Sequence, residues 1–260
     1  MKEIDELLKV MDTLRGENGC NWDKKQTHDT LIPYLLEESY EVVDALEKRD
    51  KENLKEELGD LLFQIVFHSK IASEKKEFEM KDVALGITEK LIRRHPHVFK
   101  EKEDLHPDEV ISNWEKIKEK EKSSKKKNLL EDIPISFPAL QRANKIQEKV
   151  SSVGFDWEDT QGVLDKVEEE LNELKEEINQ YSKNNQRIEE EFGDLMFSMV
   201  NLSRFLKINP ETALRKANQK FENRFQFVEK MANLEDKNIK NMSKEEMEIL
   251  WQKSKKIDNH

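Results

Sequence analysis

Two groups of carboxylates, each present twice along the chain, carry its strongest chemical signal. Glu37, Glu38 and Glu41 precede Glu56, Glu57 and Asp60; further on, Glu169, Glu170 and Glu173 precede Glu190, Glu191 and Asp194. The surroundings repeat as well, since Glu56-Glu57-Leu58-Gly59-Asp60-Leu61 matches Glu190-Glu191-Phe192-Gly193-Asp194-Leu195. Glu170 and Glu173 stand three residues apart, as do Glu191 and Asp194, so each pair shares one face of a helix. Two such helices laid antiparallel bring four carboxylates together. Alone, those groups repel and raise one another's pKa values; a hard divalent cation among them removes the penalty, and an all-oxygen donor set favours Mg²⁺ or Mn²⁺ over Zn²⁺. Neither acidic cluster contains Glu-x-x-His, which argues against a ferritin-like di-iron centre.

The elements that must position these groups are helical. Charged residues make up 39% of the 260-residue chain and only seven glycines occur, which together with scarce β-branched runs indicates an all-α protein. Apolar residues at Leu35, Leu36, Val42, Val43 and Leu46 predict a helix from Leu31 to Lys48, and Leu54, Leu58, Leu61, Leu62, Ile65 and Val66 predict a second from Asp50 to Lys70. Val163 to Gln180 and Arg187 to Leu206 repeat the pair, with short connections at Lys48–Glu52 and Tyr181–Gln186 that make each pair an antiparallel hairpin. A third helix is expected from Asp82 to Arg94 and from Pro210 to Met231, and a terminal helix carries Trp114 or Trp251.

The repeat extends over these parts. Gly19-Cys20-Asn21-Trp22-Asp23 corresponds to Gly154-Phe155-Asp156-Trp157-Glu158; Lys90, Arg94 and Val98 to Lys220, Arg224 and Val228; Trp114 and Lys118 to Trp251 and Lys255. The expected organisation is therefore two duplicated domains, residues 1–122 and 135–260, joined by a linker over 123–134. The charged stretch from Lys120 to Asp132, with Pro134 and Pro138 after it, has no apolar period and reads as that linker.

Composition narrows the function. The net charge of −11 argues against a general nucleic-acid binder, although metals could bridge acidic residues to phosphates. No apolar run reaches the ~18 residues of a membrane span, and Met1 to Leu8 lack an apolar signal core. With a single cysteine, Cys20, the expected compartment is a reducing cytoplasm. No P-loop pattern occurs. Carboxylates are so common here that one acidic motif alone would read as a solvated helix face. The coincidence of both clusters in both copies makes that reading weak.

Gly59 and Gly193 strengthen the case, because a mid-helix glycine costs about 1 kcal/mol against alanine. Its recurrence at one register points to close approach of a helix or ligand. Lys220 and Arg224 share a helix face and suit phosphate, as a point charge and a bidentate fork. Phe221 and Phe225 read as core, and Trp251 either as a packing residue or as a platform for a base. The His28-Asp29 pair lacks the partners of a metal phosphohydrolase, and the His95-Pro96-His97 pair reads as structural or exposed.

Taken together, Leu36-Glu37-Glu38-Ser39-Tyr40-Glu41, Glu57-Leu58-Gly59-Asp60, Arg93-Arg94-His95-Pro96-His97-Val98-Phe99, Val153-Gly154-Phe155-Asp156-Trp157 and Lys220-Phe221-Glu222-Asn223-Arg224-Phe225 resemble the two-domain MazG nucleoside triphosphate pyrophosphohydrolases over nearly the whole chain. The resemblance implies an all-α homodimer that converts NTPs and dNTPs to the monophosphate and pyrophosphate with Mg²⁺, and in which the second domain is the main catalytic one. It implies Glu170, Glu173, Glu191 and Asp194 as metal ligands, and Glu169, Arg187, Glu190, Lys220, Arg224, Trp251 and Lys255 as the nucleotide and catalytic shell. Arg187 stands where the family pattern has lysine.

The two copies differ in charge. Lys166 and Arg187 each precede an expected ligand by four residues, one helical turn, where the first copy has Tyr34 and Asn53. The first copy keeps a second candidate cage, Glu38, Glu41, Glu57 and Asp60, with less positive charge to hold a triphosphate. The competing classes are a nucleotide sensor that does not hydrolyse and an acidic helical scaffold for protein partners.

Overall fold

A computed structural model describes residues 2–100, 102–122, 128–180 and 184–257. Residues 123–127 of the expected linker and 181–183 of the expected second hairpin connection lie outside the described residues. The described residues form α-helices and one short 3₁₀ turn, with no strand among them, and the chain divides into two units, Met1–Ser124 and Lys125–His260.

In the first unit, α1 (Lys2–Arg15) and the short α2 (Asn21–Lys25) precede the hairpin of α3 (His28–Lys48) and α4 (Lys51–Glu74). The start of α3 is set by Thr27, whose hydroxyl accepts from the Thr30 amide at 3.2 Å while Thr30 Oγ1 accepts from the Thr27 amide at 2.9 Å, a reciprocal cap. Arg49 ends the helix at φ 57°, and the Asp50 carboxylate then caps α4 by accepting from the Asn53 amide at 3.1 Å. This tight reversal makes the pair antiparallel. α5 (Met80–Arg94) follows, then α6 (Pro96–Phe99) and α7 (Pro107–Lys122). Met11, Leu31, Val66, Phe67 and Ile71 are the buried core, flanked by Leu7, Leu8, Leu62, Phe63 and Met80.

Arg15 ties this end of the unit together. Its guanidinium donates to Glu74 at 2.9 and 2.7 Å and to the backbone carbonyls of Asp23 and Gln26, and lies 5.3 Å from the centre of the Phe67 ring. The hydrogen bonds from Arg15 hold the Glu74 carboxyl below the usual carboxylate range. Gly19 is required in this turn, because a Cβ there would lie 2.1 Å from the Leu14 carbonyl oxygen.

The second unit repeats the plan with α8 (Ala139–Ser151), α9 (Thr160–Asn179), α10 (Asn185–Phe205), α11 (Pro210–Leu234) and α12 (Lys244–Ile257). The Asp159, Asn184 and Asn209 side chains cap α9, α10 and α11. Gln147 of α8 donates to the Phe197 carbonyl of α10 at 2.8 Å, and Arg204 pairs with Asp156 in the preceding loop. Val228, Ala232, Met242 and Leu250 form a small core between α11 and α12.

The all-α expectation and the tandem repeat hold, and each expected helix is present with ends displaced by a few residues. Three differences have physical causes. α1 and α8 were not expected; α1 packs Leu7, Leu8 and the buried Met11 on the first core, and Gln147 is fixed to the hairpin from α8. α7 continues to Lys122, into the charged stretch, while Ile133 at its far end is buried and Asp132 is paired with Lys149, so that end packs on the second unit. Finally, α11 runs past its expected end at Met231 to Leu234 with no proline to interrupt it, while α5 stops at Arg94 as expected, because Pro96 disfavours the α conformation at His95 and cannot continue the ladder.

Phe67 is fully buried and Ile135 is 86% exposed. Phe67→Ala is expected to destabilise the protein by about 3–5 kcal/mol, whereas Ile135→Ala should stay within about 0.5 kcal/mol; urea unfolding followed by circular dichroism measures both. A Phe67→Ala cost no larger than that of Ile135→Ala would show that the first core is not where the structure places it.

Candidate functional site

The candidate site of the second unit lies across the α9–α10 hairpin. Glu170 on α9, with Glu191 and Asp194 on α10, can each offer a carboxylate oxygen with all three within 4.8 Å of one another. Glu170 is buried, Glu191 half-buried and Asp194 exposed, so the cluster opens to solvent on one side. Glu173 lies outside that tightest trio yet stays close enough to act on it. Burial, then the charges of Glu173, Asp194 and Glu170, push the Glu191 carboxyl above the usual carboxylate range, with Arg187 opposing them. The expected four-carboxylate grouping is thus assembled by the hairpin, with Glu173 at its rim. Its donors are all oxygen and converge from two rigid helices, which fits a hard divalent cation.

The first unit builds the same feature from α3 and α4. Glu38, Glu41 and Glu57 converge within 4.8 Å, and here Asp60 is the outer member. Burial followed by the charges of Asp60 and Glu41 raises the Glu38 carboxyl, and burial followed by Glu41 and Asp60 raises Glu57.

Basic residues differ between the two clusters. Lys166 places its Nζ 2.7 Å from Glu170 Oε1 and 2.8 Å from Glu169 Oε1, and those two hydrogen bonds raise its own pKa. Glu169 is therefore tied to Lys166, and Glu190 accepts from Gln186 on its own helix at 3.2 Å. Arg187 points its Nε at Glu177, 3.2 Å away. Glu177 went unnoticed in the sequence; it lies two helical turns beyond Glu170, is buried, and keeps its other oxygen, Oε2, without a hydrogen-bond partner. That spacing on one face was the available signal.

Lys220 and Arg224 occupy one face of α11, with Lys220 exposed and the Arg224 guanidinium 5.9 Å from the Trp251 ring centre. Phe221 and Phe225 do not form core, contrary to the sequence reading. They are exposed, lie nearly parallel with centroids 6.1 Å apart, and Phe221 meets Trp251 at 5.0 Å. Helical spacing alone thus mistook an exposed aromatic face for a covered one. Trp251 also packs against the α11–α12 core, while Lys255, one turn on, is half-buried. In the first unit Trp114 sits 5.5 Å from the Arg94 guanidinium and 4.7 Å from Lys118 Nζ, and Arg93 and Arg94 both bind Glu121 at 2.6 Å. Those bonds hold the Glu121 carboxyl down to about 2.

Other sequence signals resolve differently. A Cβ on Gly59 or Gly193 would meet nothing within 4 Å, so no helix among the described residues makes the close approach their recurrence pointed to. His28 does not act with Asp29 but meets His68, Nδ1 to Nδ1 at 2.8 Å with coplanar rings. His95 Nδ1 bonds the Leu91 carbonyl at 2.7 Å and marks the end of α5. Among the described residues no helix is long and apolar enough to cross a membrane.

Comparison with known proteins places this geometry. The model of the MazG nucleotide pyrophosphohydrolase domain matches twice, over residues 26–99 and 158–229, each stretch spanning one carboxylate hairpin. The chain is 47% identical to the nucleoside triphosphate pyrophosphohydrolase/pyrophosphatase MazG of Thermotoga maritima, covering 97% of this chain and 95% of that one. It is 46% identical to the nucleoside triphosphate pyrophosphohydrolase of Escherichia coli K12, covering 98% of both. The crystal structure of a mazG-related protein from Thermotoga maritima aligns with a TM-score of 0.39 at 29% identity, over 44% of this chain and 98% of that one. With two domain matches and near-complete coverage by these relatives, the chain belongs to the MazG nucleotide pyrophosphohydrolase family.

Proposed function

We propose that this protein hydrolyses nucleoside and deoxynucleoside triphosphates, ATP among them, to the monophosphate and pyrophosphate in a Mg²⁺-dependent reaction, with the second unit as the main catalytic domain. The observation that carries this reading is the trio Glu170, Glu191 and Asp194 with Lys166 and Arg187 beside it, in a chain of this family. A divalent cation held by Glu170, Glu173, Glu191 and Asp194 would neutralise phosphate charge and make a water more acidic; Mn²⁺ is a reasonable substitute for Mg²⁺.

The protein's own groups supply the rest. Water is added across the bond joining the α and β phosphates, so its proton must be accepted and the leaving pyrophosphate's charge offset. Glu169 or Glu190 would orient or deprotonate that water. Lys220 and Arg224 present positive charge from one face of α11, and Arg187 and Lys166 do so from the hairpin. Trp251, beside Arg224 and Phe221, offers a ring for the base, and Lys255 follows it one turn later. The physiological reading is housekeeping of the nucleotide pool in the cytoplasm.

The active species is proposed to be a homodimer. Leu171 and Ile178 of α9 and Phe192, Met196 and Met199 of α10 leave apolar surface exposed on the catalytic hairpin, and the space beside Gly193 is open. A second hairpin laid on that face would complete a four-helix core, with like domains paired about a twofold axis. Light scattering on dilute, active enzyme is expected to give twice the chain's 30.9 kDa. A mass of one chain at full activity overturns the dimer.

The activity itself is tested by incubating pure protein with ATP and Mg²⁺ and resolving the products. AMP and pyrophosphate are expected, with activity lost on adding EDTA and restored by Mg²⁺ or Mn²⁺. Metal-dependent binding without product would make the protein a sensor. No nucleotide binding at all would leave only the scaffold reading.

The assignment to the second unit makes a separate claim. Glu173→Ala should lower kcat/KM at least roughly a hundredfold, the upper end of what losing an outer-shell partner of a metal costs, whereas Glu41→Ala should retain most of the activity. If both variants stay folded and Glu41→Ala is the more damaging, the catalytic domain has been assigned to the wrong unit.

A further inference from the structure

We infer that Lys166 is a built-in counter-ion of the catalytic carboxylate cage, so that without nucleotide a divalent cation enters the cage of the first unit more readily than that of the second. The inference rests on the reading of both clusters as cation sites, and it concerns what distinguishes them. The two frames are alike: a helical hairpin, three carboxylates converging within 4.8 Å, and a fourth at the rim. Their charge balance is not.

In the second unit the Lys166 ammonium lies 2.7 Å from Glu170, the one buried member of the trio, and 2.8 Å from Glu169. The Lys166 side chain is only one-third exposed and that of Glu170 is 8% exposed, so the attraction between them is screened less than at an open surface. A cation entering here meets a carboxylate already neutralised, and must displace the ammonium or accept its repulsion at short range. At the same register the first unit has Tyr34, whose uncharged ring packs edge-on against Trp22 with centroids 5.8 Å apart. Among the described residues no lysine or arginine is within ion-pair distance of Glu38, Glu41 or Glu57. No built-in positive charge there stands in for a cation from solution.

The same contact makes filling of the catalytic cage depend on the substrate. Phosphate oxygens draw the Lys166 ammonium away from Glu170, which frees that carboxylate for the cation at the moment the nucleotide arrives. Metal and nucleotide then bind the second unit with positive coupling, while the first unit holds its cation independently of nucleotide.

The test uses the full chain and Mn²⁺ alone, with free Mn²⁺ counted by electron paramagnetic resonance. Glu41→Gln with Glu57→Gln silences the first cage and isolates the second. In that background Lys166→Met should tighten Mn²⁺ binding roughly tenfold, within the range over which outer-shell groups tune metal sites. Lys166→Arg should leave it weak. Lys175→Met, which removes the same charge from α9 without touching the trio, should change it less than twofold. Glu173→Gln with Glu191→Gln isolates the first cage; there Tyr34→Lys should weaken Mn²⁺ binding by a similar factor and Tyr34→Phe should not. Equal affinities of the two isolated cages, or a Lys166→Met effect no larger than that of Lys175→Met, overturns the inference and leaves the cage reading standing. No Mn²⁺ bound in either background overturns the cage reading itself. Should Lys166→Met fail to fold, as circular dichroism would show, the Tyr34→Lys arm decides: an unchanged affinity there overturns the inference.

Discussion

Negative charges that repel one another, held together across a helical hairpin, are the constraint on which the site depends. Glu170 is buried, and burial together with the neighbouring carboxylates pushes Glu191 above its ordinary range; Glu38 and Glu57 are raised in the same way in the first unit. Burying like charges is unfavourable unless something compensates, so the hairpins must be stable for other reasons. In the first unit these are the reciprocal Thr27–Thr30 cap, the Asp50 cap and the Arg15–Glu74 clamp. In the second they are the Asp159 and Asn184 caps and the Arg204–Asp156 pair. The caps fix where each helix begins, and hence which residues of the two helices face each other. A shift of one residue would rotate a carboxylate by about 100° and disperse the cluster.

Much of this was legible before the structure, because helical hairpins convert spacing directly into geometry. Glu-x-x-Glu and Glu-x-x-Asp on neighbouring helices leave few arrangements, and the recurrence of both removed the ambiguity that carboxylate-rich composition creates. What stayed hidden involves partners far apart in sequence or surfaces that spacing cannot classify. No local pattern indicates that His28 meets His68, or that Arg93 and Arg94 meet Glu121. Phe221 and Phe225 have the spacing of core residues, but spacing says only that they share a face and not that anything covers it. Helices α1 and α8 escaped for the opposite reason, since each buries few apolar residues and is held partly by polar contacts such as Gln147 to the Phe197 carbonyl.

The duplicated units show which features are set by the frame and which are free to vary. Carboxylates, the glycine of α4 and α10, and the basic and aromatic residues of the later helices recur at one register. The charges around the carboxylates do not: Tyr34 and Asn53 stand where the second unit has Lys166 and Arg187. Pro96 adds a backbone difference by ending α5 next to Arg94, where Glu121 engages both Arg93 and Arg94. The first unit therefore directs its last-turn arginines toward its own chain, and a triphosphate would have to compete with that carboxylate. The two units thus share the carboxylate cluster and differ in the charges around it.

The hairpin proposed as catalytic also leaves apolar surface exposed. Phe192, Met196 and Met199 are exposed along α10, Leu171 and Ile178 along α9, and Gly193 faces open space. A glycine kept mid-helix at a stability cost, with no close neighbour among the described residues, is accounted for by the proposed dimer. The paired rings of Phe221 and Phe225 are likewise exposed. Both features lie close in sequence to residues assigned to the site, Gly193 beside Asp194 and Phe221 beside Lys220. Covering these surfaces would lower the local dielectric around the carboxylates and strengthen every charge interaction among them. On the proposed reading, assembly and chemistry share one physical requirement: charges that hold a triphosphate would act most strongly once the apolar face behind them is dry.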